Sequence, residues 1–361
     1  MPSSDYSDFN IAMAADKINV WGDPRVQLRS AHLRGRTYGY LYAPAPTPKG
    51  TVVLIHGFPD ISSGWRYQIP MFLSMGYTVI APDCMGYGRT DAPIPLRDYG
   101  YKRIADDLAE LASQLGISSF ILGGHDWGGA IVYRVAQYYP KLVSHVFSIC
   151  TPFFTPSVHH EPLHLLVEKR LPNFRYQEHF ASGEIEERCV SQEEIKGFLN
   201  GMFGARTKEG KVAFDAEGRV DLDLLGQLPK TPLLSEEELE FYAREYARHG
   251  LRGPLNWYRN REVNWQDEWV GWFENGTKGG EGPKVEQETL FVLATWDQAL
   301  KPFMAAKVSP FLTFISCTCS SPLYWFHTRC TVFFSPLCRI LADIAYRKLA
   351  YSLLFHTAAC F

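Results

Sequence analysis

The stretch Phe120-Ile121-Leu122-Gly123-Gly124-His125-Asp126-Trp127-Gly128-Gly129-Ala130 (FILGGHDWGGA, 120–130) decides the fold. It opens as a short apolar run of the kind buried on both faces of a parallel sheet. It then turns through Gly124-His125-Asp126-Trp127-Gly128 and continues with helical periodicity. Gly-x-x-x-Gly with a reactive residue at the centre is the spacing of a nucleophile elbow, where a strained strand-to-helix turn presents one side chain. Here that residue is an aspartate. A carboxylate attacks sp³ carbon and gives an alkyl-enzyme ester; it is a poor choice for cleaving carboxylic esters or amides, and with no serine at the elbow a serine esterase is not expected. The plainer reading, an Asp N-cap on an ordinary βα turn, leaves Gly123, Gly124, Gly128 and Gly129 without a reason.

Working outward, TVVLIHG (51–57), YTVIAPD (77–83), LVSHVFSIC (142–150) and TLFVLATWD (289–297) are further runs of the same kind. Segments of helical length lie between the early ones, such as Tyr101–Leu115 and Gly129–Tyr139. Strands alternating with helices imply a mostly parallel sheet covered on both faces, an α/β fold. Ahead of them VQLRSAHLRGRTYGYLYAPAP (26–46) alternates and reads as an antiparallel pair. From 151 to 285 the text turns charged and aromatic, with SQEEIKGFLNGMF and SEEELEFYAREYARHG as helices and no convincing strand. The expected organisation is therefore a core of 1–150 and 286–361 interrupted by a helical cap, or lid, at 151–285.

Composition narrows the partners. Of 361 residues, 36 are basic and 39 acidic, a net charge of -3, which gives no surface for nucleic acid or anionic membrane. Aromatic residues make up 14%, suited to an apolar ligand pocket. Cys84, Cys150 and Cys189 are scattered, as in reduced cytosolic proteins, while Cys317, Cys319, Cys330, Cys338 and Cys360 crowd the end. Cys317-x-Cys319 lacks zinc-site spacing, so no metal is expected. MPSSDYSDFN carries early acids and no apolar run, so no secretory signal is expected.

His56-Gly57-Phe58-Pro59-Asp60 follows the first buried strand. Backbone N–H groups at Phe58 and Trp127 form a candidate donor pair for an anionic oxygen. Asp297, closing TLFVLAT, is a candidate for orienting a histidine and stabilising its imidazolium.

HGFPD (56–60), RYQIP (66–70), GYG (86–88) and GHDWGG (124–129) together resemble the α/β-hydrolase-fold epoxide hydrolases, over roughly residues 20–306. RYQEHF (175–180) and GPLNWYRN (253–260) are similar to the segments where that family keeps its paired lid tyrosines, which map onto Tyr176 and Tyr258. The resemblance implies an α/β-hydrolase fold with an inserted cap and a small apolar epoxide and water as substrates. Ring opening by Asp126 with Tyr176 and Tyr258 as acids then leads to a vicinal diol. It also implies no cofactor, a cytoplasmic location and a role in xenobiotic detoxification. A haloalkane or haloacid dehalogenase shares the Asp nucleophile but has no need of phenol acids, so the tyrosines discriminate. A hydrolase-like protein that binds without turnover is the third reading.

The resemblance stops near Lys307. The family's catalytic histidine sits in a Gly-His-aromatic motif after a final strand, and no such motif occurs here. His327 stands at about the right distance beyond Asp297, but Trp325-Phe326 and Thr328-Arg329 are foreign to the motif; His356 is the other downstream histidine. From Val308 no helix, buried strand and Gly-His turn can be laid out in order. Val308-Ser309 can be encoded by GTGAGT or GTAAGT, a common intron start, so 308–361 reads as retained intron sequence. A membrane anchor fits poorly, since Phe311–Phe326 falls short of the roughly 20 residues a span needs.

Overall fold

The computed structural model describes residues 16–274, 282–294 and 297–305, together with the backbone of 314–319. β1 (Gln27–Leu33) and β2 (Arg36–Ala43) form a hairpin. Its two turn residues, Arg34 and Gly35, both take positive φ, the geometry that matches strand twist. Then follow β3 (Gly50–Ile55), α1 (Gln68–Ser74), β4 (Tyr77–Pro82), α2 (Tyr101–Gln114), β5 (Phe120–His125), α3 (Trp127–Tyr138) and β6 (Val143–Ile149). Among the described residues the sheet has eight strands in the order β1-β2-β4-β3-β5-β6-β7-β8, with β7 at Glu288–Ala294 and β8 at Phe314–Cys319. β2 runs antiparallel to both neighbours; every other pairing is parallel.

The chain leaves β3 toward β4 on one side and returns as β5 on the other. That reversal opens a crevice beyond the carboxyl ends of the two strands, the place where open α/β sheets bind ligands. Ile55 pairs with Gly124, so the turn after β3 and the turn after β5 face each other across it.

β8 lies within the tail that the sequence left unassigned. Phe314–Cys319 adds to the sheet edge in parallel register with β7, Leu290 opposite Ile315 and Val292 opposite Cys317. Phe, Ile and Thr suit a pleated surface, and β7 offers an open edge of donors and acceptors that a reading of the tail alone leaves out of account.

Among the described residues between β6 and β7, the regular elements are helices and two isolated bridges, Arg206 with Val212 and Phe214 with Val220. The helices are α4 (Leu163–Lys169), α5 (Tyr176–Ser182), α6 (Glu184–Arg188), α7 (Gln192–Met202), α8 (Glu236–Ala247), α9 (Arg252–Asn256) and α10 (Arg261–Glu268). α7 and α8 each start with a reciprocal capping box, Ser191 with Glu194 and Ser235 with Glu238. Buried Ile195, Phe198, Leu199 and Met202 on α7 meet buried Leu239, Tyr242, Ala243 and Tyr246 on α8, both at helical spacing.

This helical segment is fastened to the core. The Trp257 indole N–H donates to Met85 O (2.9 Å), Asn260 Nδ2 to Tyr99 O (2.5 Å), and Tyr101 N–H to Asn264 Oδ1 (2.8 Å). Gly86 (φ +91°) and Gly253 touch backbone to backbone; a Cβ on Gly86 would lie 2.7 Å from Gly253 C. Buried Arg66 pairs with Glu238 at 2.9 Å, and the Tyr242 hydroxyl donates to Asp60. No helix among the described residues is long and apolar enough to cross a membrane.

Candidate functional site

β5 ends at His125, and the next residue breaks the rules of L-amino-acid backbone. Asp126 sits at φ 54°, ψ -121°. Such a conformation costs on the order of 1–3 kcal/mol and persists only where its surroundings over-determine it. Here the Thr151 hydroxyl donates to Asp126 O (2.6 Å) and Ala130 N–H to the same oxygen (3.2 Å). Thr151 is fixed in turn by Ser148 Oγ donating to its carbonyl (2.7 Å). The flanking glycines are steric necessities. A Cβ on Gly124 would lie 2.2 Å from Gly128 O, and one on Gly128 2.0 Å from Ile55 O. The helix therefore starts flush against β3.

The Asp126 carboxylate meets the turn after β3. Phe58 N–H donates to its Oδ1 at 2.8 Å, and the backbone N–H of Trp127 also favours the ionised form. Burial works against them and, with the nearby charges of Asp297 and Asp60, pushes the Asp126 pKa up to about 7. The Phe58 turn is held by His56. Cys84 N–H donates to its Nε2 (2.9 Å), so the proton lies on Nδ1 and donates to Gly57 O (2.9 Å). Both ring nitrogens are committed, and burial holds the ring's pKa below its ordinary value. His56 is structural.

Asp297 is 3% exposed in the turn after β7. Its Oδ1 accepts from Ala299 N–H (2.9 Å) and Leu300 N–H (2.7 Å). Its charge is among those that raise Asp126, so the two carboxyls share one electrostatic environment.

Above Asp126 the walls are aromatic. Tyr258 stands edge-on to Trp127 (5.2 Å between ring centroids), Phe58 (5.6 Å) and Phe180 (4.8 Å). Tyr176 lies 6.0 Å from Tyr258 and packs on Phe180 and Phe214 at 5.2 and 5.1 Å. Both phenols are buried. Burial, then Tyr176 and Asp126, drive the Tyr258 pKa well above its ordinary value, so its hydroxyl stays protonated and can donate.

Thus Asp126, Phe58, Trp127, Tyr176 and Tyr258 form one cluster, with Asp297 near Asp126; His327 and His356 lie outside the described residues. Sequence reasoning gave no role to Asp60, whose carboxylate accepts from Tyr242, although HGFPD contained it. It also passed over Phe180, four residues after Tyr176 and hence on the same helix face. Among the described residues no group of three His, Cys, Asp or Glu could hold a metal.

Comparison with known proteins agrees with this fold. Residues 50–185 match the family model described as alpha/beta hydrolase fold. An epoxide hydrolase of Neurospora crassa is 43% identical over 243 residues, 64% of this chain and 71% of that protein. The bifunctional epoxide hydrolase 2 of Sus scrofa is 36% identical over 70% of this chain, which spans only 44% of that longer relative. In structure, epoxide hydrolase A of Mycobacterium thermoresistibile superposes with a TM-score of 0.66 and 25% identity, covering 81% of this chain and 91% of the other.

Proposed function

The chain belongs to the α/β-hydrolase-fold epoxide hydrolases, and on that footing we propose that it opens small apolar epoxides to vicinal diols through an ester on Asp126. The observation that carries this reading is a carboxylate, in place of a hydroxyl, on the strained elbow beneath two buried phenols. With Oδ1 bound to Phe58 N–H, Oδ2 attacks a ring carbon. The C–O bond breaks as its oxygen takes a proton from Tyr176 or Tyr258, work a bare carboxylate cannot do. The product is an alkyl ester of Asp126 bearing a neighbouring hydroxyl.

In the second step a general base removes a proton from water, and the hydroxide adds to the ester carbonyl carbon. Phe58 and Trp127 N–H groups meet the developing oxyanion. The diol oxygen then leaves with a proton, and the carboxylate is restored. Asp297 is the residue to orient and stabilise a histidine base, and His327 is the candidate for that base. The 151–285 segment acts as the cap, since it brings both phenols over the core. Buried thiols at Cys84, Cys150 and Cys189 suit a reducing, cytoplasmic setting, where clearing foreign epoxides is the role that fits an aromatic-lined site.

Asp126→Asn is the test. It should abolish diol formation from styrene oxide while leaving the fold intact by circular dichroism. Unchanged initial turnover, with no deamidation back to Asp visible by mass, would overturn the assignment. The dehalogenase reading predicts halide release from a chloroalkane and no effect of removing the phenols.

A further inference from the structure

Asn173 lies three residues before Tyr176, in the short 3-10 turn Pro172–Phe174 that leads into α5. It is 0% exposed. Its Nδ2 donates to Ala299 O at 2.6 Å and also approaches Met304 Sδ at 3.4 Å. Its Oδ1 has no hydrogen-bond partner among the described residues. A half-satisfied buried amide is a poor way to fill space; leucine would occupy the same volume with no unpaired acceptor.

What the amide touches gives the reason. Ala299 is the residue whose N–H, with that of Leu300, holds Asp297 Oδ1. The same turn is bound a second time, by Lys301 pairing with Glu217. Glu217 follows Ala216, whose carbonyl accepts from Tyr176 N–H at 3.2 Å. Two separate links therefore join the start of the Tyr176 helix to the turn that orients Asp297. One runs through Asn173 and one through Glu217. None of these bonds belongs to the sheet or to a helix ladder.

We propose that Asn173 is a positioning residue: it ties the Tyr176 helix to the Asp297 turn, so that the lid phenol and the core carboxylate are set over Asp126 as one unit. The inference rests on Tyr176 acting as a proton donor in ring opening. Removing the link leaves the epoxide's apolar contacts in place and loosens only the phenol's aim. A misplacement of about 1 Å in such a group costs up to about 100-fold in rate.

The experiment is a double-mutant cycle on single-turnover ester formation, with the full chain and styrene oxide, followed by intact mass. Asn173→Leu should lower the saturating rate about tenfold with the half-saturating concentration unchanged, a loss of transition-state geometry and not of binding. In the Tyr176→Phe background Asn173→Leu should cost nothing further, because its effect runs through that phenol. Equal losses in both backgrounds overturn the proposal while leaving Tyr176 as an acid. A parent rate in Tyr176→Phe, with Asp126→Asn still forming no adduct, overturns it through its premise. A thermal melt accompanies each variant. If Asn173→Leu does not fold, Asn173→Ala, which introduces no bulk, runs through the same cycle.

Discussion

Burial raises Asp126 to about 7, helped by the charges of Asp297 and Asp60 and opposed by the N–H groups of Phe58 and Trp127. In the proposed mechanism only the ionised carboxylate attacks. Ester formation should therefore fall as pH drops through 7, to about a tenth of its plateau one unit below, read by single-turnover mass kinetics. The same shift acts on stability with a definite sign. A carboxyl raised in the fold binds a proton where the unfolded chain has lost it, so stability declines as pH rises from about 4 toward 7. Asp126→Asn should therefore melt above the parent at pH 8 and converge with it near pH 4. A melting difference that is flat with pH would show that the carboxyl is not elevated. Tyr176→Phe or Tyr258→Phe should slow ring opening by about ten- to ten-thousand-fold, and the double variant by more than either. If the double variant matches the parent, the phenols only pack. Asp126 was legible because elbow spacing is local in sequence. Asn173 was not, because its meaning lies in Ala299 across the fold.

At the scale of elements, what could be read was whatever repeats along the chain. Buried parallel strands announce themselves as apolar runs, and β3 to β7 fall within a few residues of those runs. Ser-x-x-Glu fixes where α7 and α8 begin. β8 escaped because its stability comes from the edge of β7, which no local pattern records. Two substitutions separate kinds of cause. Ser191→Ala removes one cap at the surface of α7; it should cost about 1 kcal/mol in denaturant unfolding and leave ester formation unchanged. Gly128→Ala drives a methyl to within 2.0 Å of the Ile55 carbonyl, backbone against backbone. It should give insoluble protein or a large loss of melting temperature, and a well-folded, active Gly128→Ala would show that the α3–β3 contact can relax.

For the whole molecule, the division of labour between core and helical segment sets what this chain can do. The proposed nucleophile and oxyanion donors come from the sheet side, and the proposed phenol acids from helices fastened at Met85, Tyr99, Tyr101 and Asp60. Ring opening needs those groups alone. Ester hydrolysis needs a base as well, and His327 sits in sequence foreign to the family's motif. If neither His327 nor His356 serves, the chain should react once, gain the mass of one epoxide on the peptide holding Asp126, and stop. Steady turnover without adduct would mean that a base is in place, and His327→Ala should then trap the ester. The core was readable from sequence as far as Lys307. Beyond it the strand Phe314–Cys319 was not legible, since a segment rich in Ser and Cys does not look like the edge of a hydrolase sheet.

The single hydrogen bond from Phe58 to Oδ1 labels the two oxygens of Asp126 as different atoms. Under the proposed ester mechanism Oδ1 stays with the protein, while Oδ2 departs inside the product. For a chain that turns over, the first diol formed in ¹⁸O-water should therefore contain no heavy oxygen. The isotope would reside in the enzyme's own side chain, and only diols from later turnovers would carry it.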